Sequence, residues 1–167
     1  MDRPTSELEI VRVPITHPDA VQLIEAVQSV YVERYGGRDE SPIDPAQFED
    51  PDGQFFVGRL DQVAVASGAW RRHRTPAGVD ASPSAEVKRM FVRPSHQGRG
   101  YARRMLAHVE ATAAAAGIAS MILETGLAQP EAIALYESSG YRSIPNFGFH
   151  SDQPLSRCFA KPLRTPA

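Results

Sequence analysis

Six consecutive residues, Gln97-Gly98-Arg99-Gly100-Tyr101-Ala102, carry the strongest chemical signal in the chain. They follow an apolar run ending at Val92 and open a long stretch with helical spacing. The first amides of a helix have no partners within it, and the helix dipole gathers positive charge there. Glycines at 98 and 100, with alanine at 102, would let a phosphate approach that backbone. Two glycines before a helix also make an ordinary tight turn, and both readings stand at this point. The spacing fits neither a Walker A loop, which needs Gly-Lys-Ser/Thr, nor the three-glycine dinucleotide fingerprint. Nucleoside triphosphate hydrolysis is therefore not expected.

Other reactive residue types are less organised. His17, His73, His96, His108 and His150 show no metal-ligand spacing, and a serine triad finds no support. Cys158 is the single cysteine, so an internal disulfide is ruled out, and its apolar setting suggests a buried structural residue. The net charge of −2 and the shortness of Arg71-Arg72-His73-Arg74 argue against a nucleic-acid partner. Residues 1–12 lack the apolar run of a signal peptide, and no stretch approaches the roughly 20 apolar residues that cross a bilayer. The expectation is a cytoplasmic protein with no membrane partner.

The elements that would position the glycine turn follow from periodicity. A chain of 167 residues suits one domain, residues 1–167. Residues 8–13 alternate as a strand that Pro14 ends, and residues 17–35 carry Val21, Ile24, Val27 and Tyr31 at helical spacing. Pro18 suits that helix's first turn and Gly36-Gly37 its end. Residues 38–53 read as a loop with one short helix near 45–49. Residues 54–60 and 63–72 form a hairpin across Asp61-Gln62, although Asn-Gly is the favoured pair. A strand over 85–92 completes a meander of three. A helix over 101–116, a buried strand over 119–124 and a helix over 131–138 follow. Strands over 141–144 and 156–163 finish the chain. The order is β-α-β-β-β-α-β-α-β-β.

Read together, these segments resemble a known family. Gln97-Gly98-Arg99-Gly100-Tyr101-Ala102 looks like the Arg/Gln-x-x-Gly-x-Gly/Ala signature of GNAT N-acetyltransferases. Glu86-Val87-Lys88-Arg89-Met90-Phe91-Val92-Arg93-Pro94 resembles the family's fourth strand. Gln129-Pro130-Glu131-Ala132-Ile133-Ala134-Leu135-Tyr136-Glu137-Ser138-Ser139-Gly140-Tyr141 resembles its second conserved helix and the strand after it. The match is firmest over residues 85–144. The resemblance implies a mixed α/β domain, a central, mostly antiparallel seven-stranded sheet flanked by helices on both faces.

It also implies acetyl-CoA as co-substrate, without a metal, and acetyl transfer to an amine. The amides of Gln97, Gly98, Arg99, Gly100, Tyr101 and Ala102 would hold the diphosphate. Backbone groups of Phe91 and Val92 would pair with the pantetheine arm, lying in a gap between splayed strands. Gln129 stands where many members have asparagine, and its longer amide would reach for the same arm. Tyr136 matches a tyrosine placed near the coenzyme sulfur, where a phenol donates a proton; packing beneath the cofactor is the other reading. Glu86 occupies a strand position where some members carry a glutamate, either as base or as a solvated strand-end residue. The acidic residues of 38–52 would attract a cationic amine or simply face solvent, and Trp70 and Arg71 would line the acceptor pocket or, for Trp70, join the core.

The acceptor itself is open between small molecules and peptides. An acetyl-CoA sensor and a user of a larger acyl-CoA are the alternatives, and the resemblance is compatible with a homodimer.

Overall fold

The computed structural model describes residues 7–40 and 43–164. Residues 1–6, half of the N-terminal stretch read above for a leader, lie outside the described residues. The elements are β1 (Glu9–Arg12), α1 (Pro18–Tyr35), β2 (Gly53–Leu60), β3 (Val63–His73), β4 (Ser84–Val92), α2 (Tyr101–Ala115), β5 (Ser120–Gly126), α3 (Pro130–Ser138), β6 (Arg142–Ile144) and β7 (Ser156–Pro162). Short 3₁₀ turns occupy Pro45–Phe48 and Pro94–His96. The order is the expected one.

One seven-stranded sheet runs β1-β2-β3-β4-β5-β7-β6. Every neighbouring pair is antiparallel except β4 and β5, which are parallel. Side-chain alternation distributes the core to two faces. Phe56, Val65 and Trp70 pack with Met105, Leu106 and Val109 of α2, while Phe55, Val57, Ala64 and Ala69 pack with Ala20 and Leu23 of α1. Helix α3 shares the α2 face through Tyr136. A smaller cluster of Ile122, Ile144, Phe147, Cys158 and Ala160 lies on the α1 side of β5 and β7.

Local chemistry explains the ends of α1. The His17 ring nitrogen accepts from Asp19 N–H at 3.1 Å, Pro18 occupies the first turn, and Gly36 stops the helix at φ 78°. The hairpin between β2 and β3 forms although its turn is Asp-Gln. Both residues take positive φ, 48° and 71°, as a two-residue turn matching strand twist requires.

The region around β4 and β5 has a different construction. Only Ser84, Ala85 and Glu86 pair with β5, against Ser120, Met121 and Ile122. Beyond them β5 stays with β7, whereas β4 stays with β3. The β3–β4 register shifts between Ser67 and Ala69, and Arg89 opposite the shift adopts φ 53°. This bulge kinks β4 away from β5. The Ser67 hydroxyl holds the kink by donating to the Arg89 carbonyl at 2.7 Å. From Lys88 to Val92 one edge of β4 has no strand beside it.

Candidate active site

The glycine turn lies at the end of that unpaired edge. Gly98 and Gly100 adopt φ 77° and 82°, and a Cβ at either would meet nothing within 4 Å. The space above the turn is thus open to a ligand. Gly100 caps α2 without any side-chain cap, and the first turn has no acidic residue. The opening amides are left for an anion, which the helix dipole favours. Gln97 fixes the turn to the strand by donating its side-chain amide to the Val92 carbonyl at 3.1 Å. Arg99 is exposed beside Ser95, and Tyr101 and Ala102 are half-buried against the α2-side core. Phe91 pairs with Ser67 and Val92 with Ala66, so their other edge faces the gap.

Tyr136 sits at the other end of the gap. Its side chain is buried, with its ring 5.7 Å from that of Tyr141 in an edge-to-face contact. The hydroxyl has no hydrogen-bond partner among the described residues. Burial pushes its ionisation well above the usual phenol range, helped by Tyr31. Such a phenol stays protonated and can donate. Gln129, just before α3, sends its side-chain amide to the Tyr35 hydroxyl at 3.3 Å.

Glu86 lies on the opposite face from Tyr136 and is 5% exposed. Its Oε1 accepts from Arg71 Nε at 3.1 Å and Nη2 at 3.0 Å, and Arg71 Nη1 continues to Gln47 Oε1 at 2.8 Å. Glu86 therefore sits in the wall behind the cavities and lines neither. Trp70 belongs to the core, its indole N–H donating to Thr112 at 3.1 Å.

A carboxylate that sequence reasoning passed over does line the cavities. Glu124 follows Ile122 on the α1 face of β5 and faces both a cavity of about 490 Å³ and a recess of about 90 Å³ beside Tyr136. Burial raises its pKa above the ordinary carboxylate value; Glu86 and Asp39 push the same way, while His150 and Lys88 oppose. A single acidic residue ending the apolar run Ser120-Met121-Ile122-Leu123 was the available signal.

Three further groups meet at the rim. Asp39 Oδ2 lies 3.2 Å from Arg89 Nη1 and its Oδ1 lies 3.0 Å from His150 Nε2. The Gln28 side chain exchanges two hydrogen bonds with the Asp39 backbone, at 2.8 and 3.1 Å. The acidic loop thus divides by role. Asp39 and Glu40 line the cavity, Asp44 caps the 3₁₀ turn, and Asp50 pairs with Arg12 at 2.8 Å. Cys158 is fully buried, which pushes its thiol up to about 11 and leaves it unreactive. Among the described residues no cluster of three metal-ligating side chains occurs, and no helix is long and apolar enough to cross a membrane.

This arrangement suits an extended, phosphate-bearing thioester. The open turn fits its diphosphate, the free β4 edge its amide-containing arm, and the recess with an unsatisfied phenol its sulfur. Comparison with known proteins agrees. The family model described as Acetyltransferase (GNAT) family matches residues 22–141. An IAA acetyltransferase of Azospirillum brasilense is 35% identical over 144 residues, covering 86% of this chain and 90% of the relative. A Klebsiella pneumoniae crystal structure described as an acyl-CoA N-acyltransferase superposes with TM-score 0.74 at 28% identity, covering 94% and 98% of the two chains. A Salmonella typhimurium structure, determined with its cofactor acetyl-CoA, shares the fold at TM-score 0.69 and 17% identity, covering 97% of each chain.

Proposed function

Because the chain belongs to the GNAT acetyltransferase family, we propose that it transfers the acetyl group of acetyl-CoA to a primary amine by direct attack while both substrates are bound. One observation carries this reading: the unpaired edge of β4 joins the open α2 turn to the recess holding Tyr136 and Glu124. Acetyl-CoA, when bound, supplies an activated thioester.

The chain's own groups have separable tasks. Amides from Gln97 to Ala102 bind the diphosphate, the backbone of Phe91 and Val92 orients the pantetheine arm, and Gln129 closes its far side. An alkylamine is protonated at neutral pH, with a lysine-like pKa of about 10.4. Glu124, whose proton affinity burial increases, takes that proton at the cavity floor. Glu86 acts through Glu124, because its charge adds to that affinity. The amine nitrogen then forms a bond to the acetyl carbon as the carbon–sulfur bond breaks. Tyr136 gives its hydroxyl proton to the departing sulfur and regains one through water from the second N–H that the acylated nitrogen loses, and Glu124 releases its proton to solvent. The net products are an acetamide, free CoA thiol and one proton.

The test is release of free thiol from acetyl-CoA by the purified protein with a panel of amines, alongside calorimetry with CoA. Saturable CoA binding and amine-dependent thiol release are expected. Absence of coenzyme binding by folded protein would refute the reading.

A further inference from the structure

The cavity of about 490 Å³ has a composition that points to a class of acceptor. Seven large apolar side chains are exposed among the described residues, and three of them, Tyr35, Phe149 and Leu155, line this one cavity. Tyr31 extends the same wall, its ring centroid 6.4 Å from that of Tyr35. Exposed apolar groups gathered in a concavity mark a binding surface, whereas scattered ones need no explanation.

The Tyr35 ring is also held in place. Gly126 is the residue on β5 against which it lies, and a methyl group there would overlap its hydroxyl. The side-chain amide of Gln129, just before α3, holds that hydroxyl. Two chain segments are thereby committed to keeping an aromatic face toward the cavity.

The charges of the wall are largely committed to one another. Arg38 is bound to Glu25 at 2.6 Å, and Arg89 and His150 to Asp39. Lys88 lines only the small recess on the coenzyme side. Two carboxylates then remain on the lining, the half-buried Glu124 on β5 and the solvent-exposed Glu40, with aromatic and aliphatic walls beside them. An acceptor that satisfies this layout has an ammonium for Glu124 and a flat, apolar body. The volume falls in the range of small-molecule pockets, about 300–1,000 Å³.

We propose that the acceptor is an arylalkyl primary amine, its ring held by Tyr35, Phe149 and Leu155 and its ammonium directed to Glu124. This rests on the reading of Glu124 as the group facing the reacting amine. The test measures thiol release with 2-phenylethylamine and tryptamine against ethanolamine, phenylalanine and a lysine-containing peptide. The aryl amines should exceed each of the others at least tenfold in kcat/KM. Phe149→Ala, at a position 57% exposed, should raise KM for 2-phenylethylamine about tenfold. Calorimetry with CoA, which binds on the other side of the site, should give the wild-type affinity and so separates loss of the ring contact from loss of the fold. Preference for the peptide, for phenylalanine or for ethanolamine would overturn the inference while leaving acetyl transfer intact, as would an unaltered KM in Phe149→Ala. No thiol release with any amine would instead bring down the proposed function.

Discussion

Asp39 and His150, 111 residues apart in the chain, meet at 3.0 Å on the rim of the larger cavity. The same carboxylate faces Arg89, whose side chain is 4% exposed and whose Nε lacks any hydrogen-bond partner. Asp39 thus joins the loop after α1, the bulge of β4 and the loop before β7 in one ionic contact.

Removing that carboxylate should have unequal consequences for its two partners. Asp39→Asn leaves the Arg89 guanidinium buried without a counter-charge, at a cost of about 3–5 kcal/mol. His150→Ala removes a half-exposed partner and should cost less than about 1 kcal/mol. Chemical denaturation of the two variants measures both. Equal, small losses would mean that the Asp39–Arg89 pair does not support the β4 bulge.

Tyr136→Phe should lower kcat by about 10²-fold or more if the phenol protonates the leaving sulfur. The affinity for CoA should stay unchanged, because the ring and its contact with Tyr141 are retained. Stopped-flow thiol release and calorimetry separate the two effects. The burial that raises this phenol's pKa also means that it contributes no falling limb to the rate below about pH 10. A parallel loss of binding and rate would assign the residue to packing instead.

The parts of the site legible in the sequence are those written locally. Positive φ at Gly98 and Gly100 requires glycine-like residues within a few positions of a helix start, so the turn could be read from spacing. The α1 ends, with Pro18 and Gly36, were legible for the same reason. Arg89 was not, because its positive φ is imposed by the register shift against Ser67 and no glycine announces it. Nor was the cluster of Asp39, Arg89, Glu124 and His150, which the fold assembles from four separate segments. Acidic residues between 38 and 52 look equivalent in sequence, yet Asp39 is held inward by Gln28 on its backbone and by Arg89 and His150 on its carboxylate.

Gly98→Ala tests the turn in isolation. A non-glycine residue in the left-handed region costs roughly 1–2 kcal/mol, and here no neighbouring atom adds a clash. Stability should therefore fall by about that amount and no more. A methyl group in the open space above the amides would nonetheless hold a phosphate away from them. Calorimetry should show about a tenfold or greater loss in CoA affinity with KM for the amine unaltered. Unchanged affinity would place the diphosphate elsewhere.

Glu124→Gln separates catalysis from stability by pH. Burial raises the folded-state pKa of Glu124 above its unfolded value, so the folded chain holds this proton more tightly. The stability linked to that proton is fully present below the unfolded pKa and is lost as pH rises through the folded one. Above that folded pKa the wild type carries the cost of a buried carboxylate, which a neutral glutamine removes. The variant's melting temperature relative to wild type should therefore rise with pH, with any advantage gone as pH falls below about 4. Its rate should move oppositely. Wild-type kcat/KM should rise with pH through a limb set by Glu124, and Glu124→Gln should lose that limb and about 10²-fold in rate. A pH profile that keeps the same limb in the variant would transfer the proton-accepting role to another group, with Glu86 the next carboxylate behind it.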